Sequence, residues 1–130
     1  MSHKVVPVAD KQTVHEYLTV RQVREQDLER VQPIGEIDLC TAKVLSDALD
    51  DAESVPNVLV DLSKVNFLAL VGVQVLQAAG ARRSAANRRL VLVAPTPAVQ
   101  RVLSLTEAAA ELEIYLTNRS ALSALHASST

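Results

Sequence analysis

A chain of 130 residues is long enough for one domain and too short for two comfortable ones. Its 48% hydrophobic and 22% charged residues exclude a disordered body, and its 2% aromatics, with no Trp, exclude a base-stacking platform. The 13 Lys and Arg against 15 Asp and Glu leave a net charge of −2, without the basic excess that phosphate-backbone binders show, so no nucleic-acid partner is expected.

Residues 1–13 carry no clear period and are expected to be an N-terminal extension. The sequence MSHKVVPVADK is too polar for the ~7–15-residue apolar core of a signal peptide. No stretch approaches the ~20 apolar residues of a membrane span. Cys40 is the only cysteine, so no intramolecular disulfide can form, which fits a reducing compartment. A cytoplasmic chain without membrane insertion is expected.

The domain is expected over 14–126. Tyr17 to Val23 alternates Leu18 and Val20 with Thr19 and Arg21, the period of a half-buried strand. REQDLE turns the chain, and Glu29 to Ile34 reads as a second strand pairing antiparallel with the first. Pro33 weakens that strand, because proline donates no ladder hydrogen bond and belongs at an edge or strand end. Thr41 through Ala52 spaces Val44, Leu45, Ala48 and Leu49 helically, with Asp38 or Thr41 as the cap. Its acidic face, Asp47, Asp50, Asp51 and Glu53, reads as a solvated surface.

VLVDL at 58–62 is a continuous apolar strand, expected near the centre of the sheet. Ser63 to Leu70 follows, and then a helix with Gly72 at its start and Asn87 near its end. LVLV at 90–93 is another buried strand, Thr96 caps the helix PAVQRVLSLT, and EIYL at 113–116 is a short edge strand. A final helix starts at Asn118 or Ser120 and runs through Leu125, and 127–130 form a flexible tail. The order predicts a small α/β domain: a mixed sheet of four to five strands packed with about four helices.

Catalytic chemistry finds no footing. His3, His15 and His126 show no ligand spacing, and no GxSxG elbow or phosphate-binding glycine pattern is present. The expectation is a protein that is not an enzyme and holds no metal or cofactor. Cys40, near a helix start, admits a redox role, but reads foremost as a small buried hydrophobe. Arg82, Arg83, Arg88 and Arg89 read as complements to the dipole at the end of the second long helix, ahead of an anion site.

Three segments carry a family resemblance. GEIDLCTA at 35–42 resembles the signature that opens the first helix of STAS domains. VLVDLSKVNFLALVGVQVL at 58–76 is similar to that family's central strand, loop and second helix. LVLVAPTPAVQRVLSLT at 90–106 resembles its next strand and third helix. Among STAS domains the similarity is greatest to bacterial anti-sigma factor antagonists, and an Arg-over-Lys, Ala- and Val-rich composition fits a GC-rich bacterium.

The resemblance implies transcription regulation by protein–protein interaction, the partner being an anti-sigma factor that is itself a serine kinase. In the family that kinase phosphorylates an Asp-Ser-Ser-Gly loop, which falls here on Ala69, Leu70, Val71 and Gly72. Val71 stands at the phosphorylated serine and has no hydroxyl, so the switch is expected to be absent. The loop remains the expected docking surface, with Asp38 and Gln74 as polar rim. Leu70 and Val71 either face solvent there or have joined the core. The resemblance also admits a homodimer, a STAS subunit of a lipid-transport or stress-signalling assembly, or a ligand-sensing STAS module.

Overall fold

The structure of the protein, a computed structural model, describes residues 9–128. Strand β2 (Leu18–Glu25) turns Leu18, Val20 and Gln22 inward, and β3 (Leu28–Ile37) does the same with Glu29, Val31 and Pro33. They pair antiparallel as the alternation predicts, across a tight turn in which Gln26 adopts a φ of 52°. Before them comes β1 (Ala9–Val14), paired antiparallel with β2 from Ala9 opposite Arg24 to Val14 opposite Thr19. Residues 9–13, expected in the N-terminal extension, are therefore part of the sheet. Their polar sequence hides this, because the ladder and two ion pairs, Lys11–Asp51 at 2.9 Å and Asp10–Arg21 at 3.4 Å, hold β1 without an apolar period.

Pro33 sits in the middle of β3, not at its end. Gly35 N donates to Lys64 O, so the nitrogen of Pro33, two residues back, faces the same side of the strand. On that side β3 pairs through Val31 with the parallel strand β4 (Asn57–Asp61), and from Gly35 with the parallel β5 (Val65–Leu68). The proline occupies the gap where one partner gives way to the other. Its missing donor costs no hydrogen bond there.

β5, hidden within the expected 63–70 connection, is irregular: Val65 and Leu68 are buried, whereas Asn66 and Phe67 are exposed. The remaining elements are α1 (Ala42–Asp51), α2 (Leu70–Ala85), β6 (Arg89–Val93), α3 (Pro97–Ser104), one-turn α4 (Ala108–Glu111), β7 (Glu113–Tyr115) and α5 (Asn118–Ser128). The seven-stranded sheet runs β1-β2-β3-β4-β6-β7, with β5 beside β3; the β1–β2 and β2–β3 pairs are antiparallel and the other described pairs parallel. β4 lies centrally, as its apolar run predicts. The mixed α/β class holds, with seven strands among the described residues where four to five were expected. α5 runs to Ser128, so the tail expected from 127 is helical that far.

β4 and β6 read as continuous apolar runs because both of their faces are covered. On one face Val58, Val60, Leu62, Leu90 and Leu92 join Leu45 and Leu49 of α1 and Val73 and Leu76 of α2 in the main core. On the other, Leu59, Val91 and Val93 meet Ala121 and Leu125 of α5 in a smaller cluster, with Leu28, Tyr115 and Leu122 packed against it. Thr96 precedes α3 as expected, but its side chain makes no cap bond; Pro97, with φ already helical, starts the helix.

Gly72 lies in the first turn of α2, pressed on the main core. A Cβ there would come within 2.6 Å of Ile37 Cγ2 and 2.7 Å of Leu68 Cδ1, and both residues are buried. Gly72→Ala gains about 1 kcal/mol of helix propensity but overpacks the core by about 2–3 kcal/mol. The expected outcome is a net loss of about 1–2 kcal/mol in urea unfolding. A variant as stable as the wild type contradicts this packing.

Candidate functional site

Parallel strands β3 and β5 end side by side, with Glu36 opposite Phe67 and Ile37 opposite Leu68. Two connections leave from that end, β3 to α1 and β5 to α2. Gly35 prepares the first: its φ is +120°, and a Cβ would stand 2.4 Å from Tyr17 O. Only glycine tolerates that backbone and that approach.

Asp38 then organises the turn. Its Oδ1 accepts from Cys40 N at 2.9 Å and Thr41 N at 3.0 Å, while Thr41 Oγ1 donates to Glu36 O at 2.8 Å and accepts from Asp38 N at 2.9 Å. Thr41 occupies the cap position, but Asp38 supplies the capping carboxylate. The turn pushes Leu39 and Cys40 outward. Leu39 is 82% exposed, and Cys40 is exposed too, which corrects its reading as a buried hydrophobe.

The second connection is short. Ala69 N donates to Ile37 O at 2.8 Å, and Ala69 O accepts from Gly72 N at 2.9 Å, so α2 begins at Leu70. The expected 69–72 loop is thus the opening turn of a helix. Leu70 is 58% exposed, Val71 is half-buried, Gly72 is buried and Gln74 is exposed. Leu70 faces solvent and Val71 turns partly inward, so the two alternatives for this loop are divided between its two side chains. The structure brings Asp38, Ala69, Leu70, Val71, Gly72 and Gln74 to the connections that leave this end of the sheet.

Sequence reasoning missed Leu39 and Phe67. Phe67 is 51% exposed. With Leu39 and Leu70 it makes this end of the domain rich in uncovered apolar area. The signal was available in principle: three large apolar residues in segments without a consistent period.

The arginines at the end of α2 are mostly structural. Arg83, 3% exposed, donates to Ala52 O at 3.1 Å, Arg89 O at 3.0 Å and Val55 O. It therefore serves the carbonyls after α1, rather than the end of its own helix. Burial above all, and Arg88 beside it, pull its pKa down from the ordinary value. Arg82 pairs with Asp50 at 3.2 Å. Arg89 meets Glu113 at 2.6 Å and holds that carboxyl below the usual range. Among the described residues no group of three His, Cys, Asp or Glu stands together as metal ligands, and no helix is long and apolar enough to cross a membrane.

The family model described as "Mlab, STAS domain" matches residues 20–114. The chain belongs to the STAS domain family. Solved structures agree, and several are of anti-sigma factor antagonists. One from Mycobacterium paratuberculosis is 29% identical, with a TM-score of 0.71 over 91% of this chain and 93% of that one. A putative antagonist from Thermotoga maritima shares the fold at 20% identity and a TM-score of 0.72, covering 90% and 94%. A STAS protein from Planctomyces limnophilus does so at 19% and 0.67, covering 81% and 95%. No curated protein matches.

Proposed function

We propose that this chain acts as an anti-sigma factor antagonist: it docks on an anti-sigma factor of the serine-kinase type, in the cytoplasm, and regulates transcription without a serine-phosphorylation switch. The observation that carries this reading is the exposed trio Leu39, Phe67 and Leu70 at the shared end of β3 and β5. Covering three such side chains contributes roughly 3–5 kcal/mol before association costs are subtracted. Asp38 and Gln74 supply the polar rim. The 29% identical antagonist supports the same class of partner.

The missing switch rests on Val71. Phosphoryl transfer requires an oxygen nucleophile, and an isopropyl group offers none. A phosphate there would also bring about two negative charges to an apolar surface and oppose docking. Valine holds the protein in its docking form.

The test uses purified serine-kinase-type anti-sigma factors from the source organism, with wild type, Leu70→Asp and Phe67→Asp. Wild type binds, and each variant weakens binding by roughly tenfold or more. Both side chains face solvent, so the variants keep their thermal midpoints within about 2 °C. Binding unchanged in both variants overturns the surface. A phosphate mapped to Ser63 after incubation with ATP overturns the loss of the switch.

A further inference from the structure

α5 packs on the far face of the sheet over β4, β6 and β7, and a cavity of about 400 Å3 lies beside it. This lies within the roughly 300–1,000 Å3 of small-molecule sites. Its lining follows from the strand register. Val23, Arg30 and Leu59 stand in one cross-strand row, and Arg21 and Gln32 in the next, where Gln32 reaches Asp61 on β4. Asn118, at the start of α5, closes the side.

The charges on these walls do not satisfy one another. Arg30 makes no hydrogen bond or ion pair among the described residues, and its Nε is shut off from water without a partner. Asp61 is 8% exposed, and among the described residues no Lys, Arg or His stands within ion-pairing distance of it. Only neutral donors serve it: Ser63 N at 2.9 Å, Gln32 Nε2 at 3.0 Å and Asn118 Nδ2 at 3.4 Å. Because Gln32 and Asn118 spend their N–H groups on Asp61, their carbonyl oxygens remain as acceptors next to a buried negative charge. Leu59 and Val23 form an apolar floor between the guanidinium and this cluster of acceptors.

We propose that this cavity binds a small dipolar ion, an α-amino acid in its zwitterionic form. Its carboxylate meets the outer edge of the Arg30 guanidinium, in the forked geometry that arginine favours. Its ammonium, with three donors, meets the Asp61 carboxylate and the carbonyl oxygens of Gln32 and Asn118. A simple anion fits less well, since Asp61 and Glu25 line the same cavity and repel it. The site shares no lining residue with the Leu39–Phe67–Leu70 surface, and the inference does not rest on the docking proposal.

The experiment is a thermal-shift and calorimetric titration of the full chain with each of the twenty amino acids, with acetate and ethylamine as half-ligand controls. At least one amino acid raises the Tm by roughly 5 °C at about ten times its Kd, and neither control does so. Arg30→Gln and, separately, Asn118→Ala weaken that binding by roughly tenfold or more. No shift beyond the controls overturns the proposal, and so does an equal shift with acetate alone. Undiminished binding in Arg30→Gln overturns it as well. Should that variant not fold, undiminished binding in Asn118→Ala does the same.

Discussion

Arg83→Ala is expected to lower the unfolding free energy by about 4 kcal/mol and the Tm by roughly 15 °C. The guanidinium stands among main-chain oxygens: Ala52 O, at the end of α1, accepts at 3.1 Å, Glu53 O lies at 3.5 Å, and Val55 O and Arg89 O complete the set. Those groups belong to the α1–β4 connection and to β6, so a single side chain from α2 ties three elements together. Removing it takes a charged donor from several main-chain oxygens, at about 1–3 kcal/mol for each buried one left unpaired, and opens a cavity beside Val55. Arg83→Lys recovers less than half of the loss, because one ammonium nitrogen cannot address oxygens spread around a planar fork. Thermal denaturation of the two variants checks this. Wild-type stability in Arg83→Ala contradicts it.

Glu29→Ala is expected to cost about 3 kcal/mol. Glu29 is 2% exposed on the helix-covered face of β3. Its Oε2 accepts from Gln22 Nε2 at 2.8 Å and its Oε1 from Arg24 Nε at 2.5 Å. Gln22 reaches on to Ala48 O at 3.3 Å, and Arg24 to Asp51 O at 3.1 Å, so the network fastens the hairpin to the end of α1. Lys11 completes it from β1 and holds the Asp51 carboxyl below its ordinary range. Truncation to alanine leaves the Arg24 charge facing a half-closed space with no carboxylate. Glu29→Gln keeps the shape and one acceptor, so about half the loss is expected. Urea midpoints measure both, and a double-mutant cycle with Arg24→Ala is expected to return a coupling of about 1–2 kcal/mol. A coupling near zero removes the network as the cause.

These two networks mark where sequence reading stops. The central strands, α1, α2 and the antiparallel hairpin were legible because Leu, Val and Ala recur at periods that only one element satisfies. Gln22 and Glu29 break the inward apolar pattern, and nothing local reveals that they satisfy each other across two strands. β1 was invisible for a related reason: ADKQTV is held by its neighbour's backbone and carries no apolar face. β5 was lost because its irregular pairing with β3 exposes two successive residues, Asn66 and Phe67, and so spoils the alternation. At the candidate site, the family motif pointed to Leu70 and Val71, and Asp38 could be placed by its capping chemistry. Leu39 and Phe67 lie inside family-like segments but at no position the switch motif marks, and their shared exposure is plain once β3 and β5 are laid side by side.

The polar composition of β1 also bears on how the protein behaves in a crowded solution. A sheet that does not close has two outer strands, and their unpaired backbone groups invite strands from other molecules. Along the main strand order the described outer strands are β1, with Asp10, Lys11 and Gln12 along it, and β7, only three residues long, while the four-residue β5 pairs β3 alone. Stacking two copies of β1 in register would crowd like charges together, and β7 offers too little ladder to hold a foreign strand. The most apolar strands, β4 and β6, are enclosed between neighbours. Resistance to fibril-like growth is thus built into the edges, which leaves the chain free to expose Leu39, Phe67 and Leu70 elsewhere.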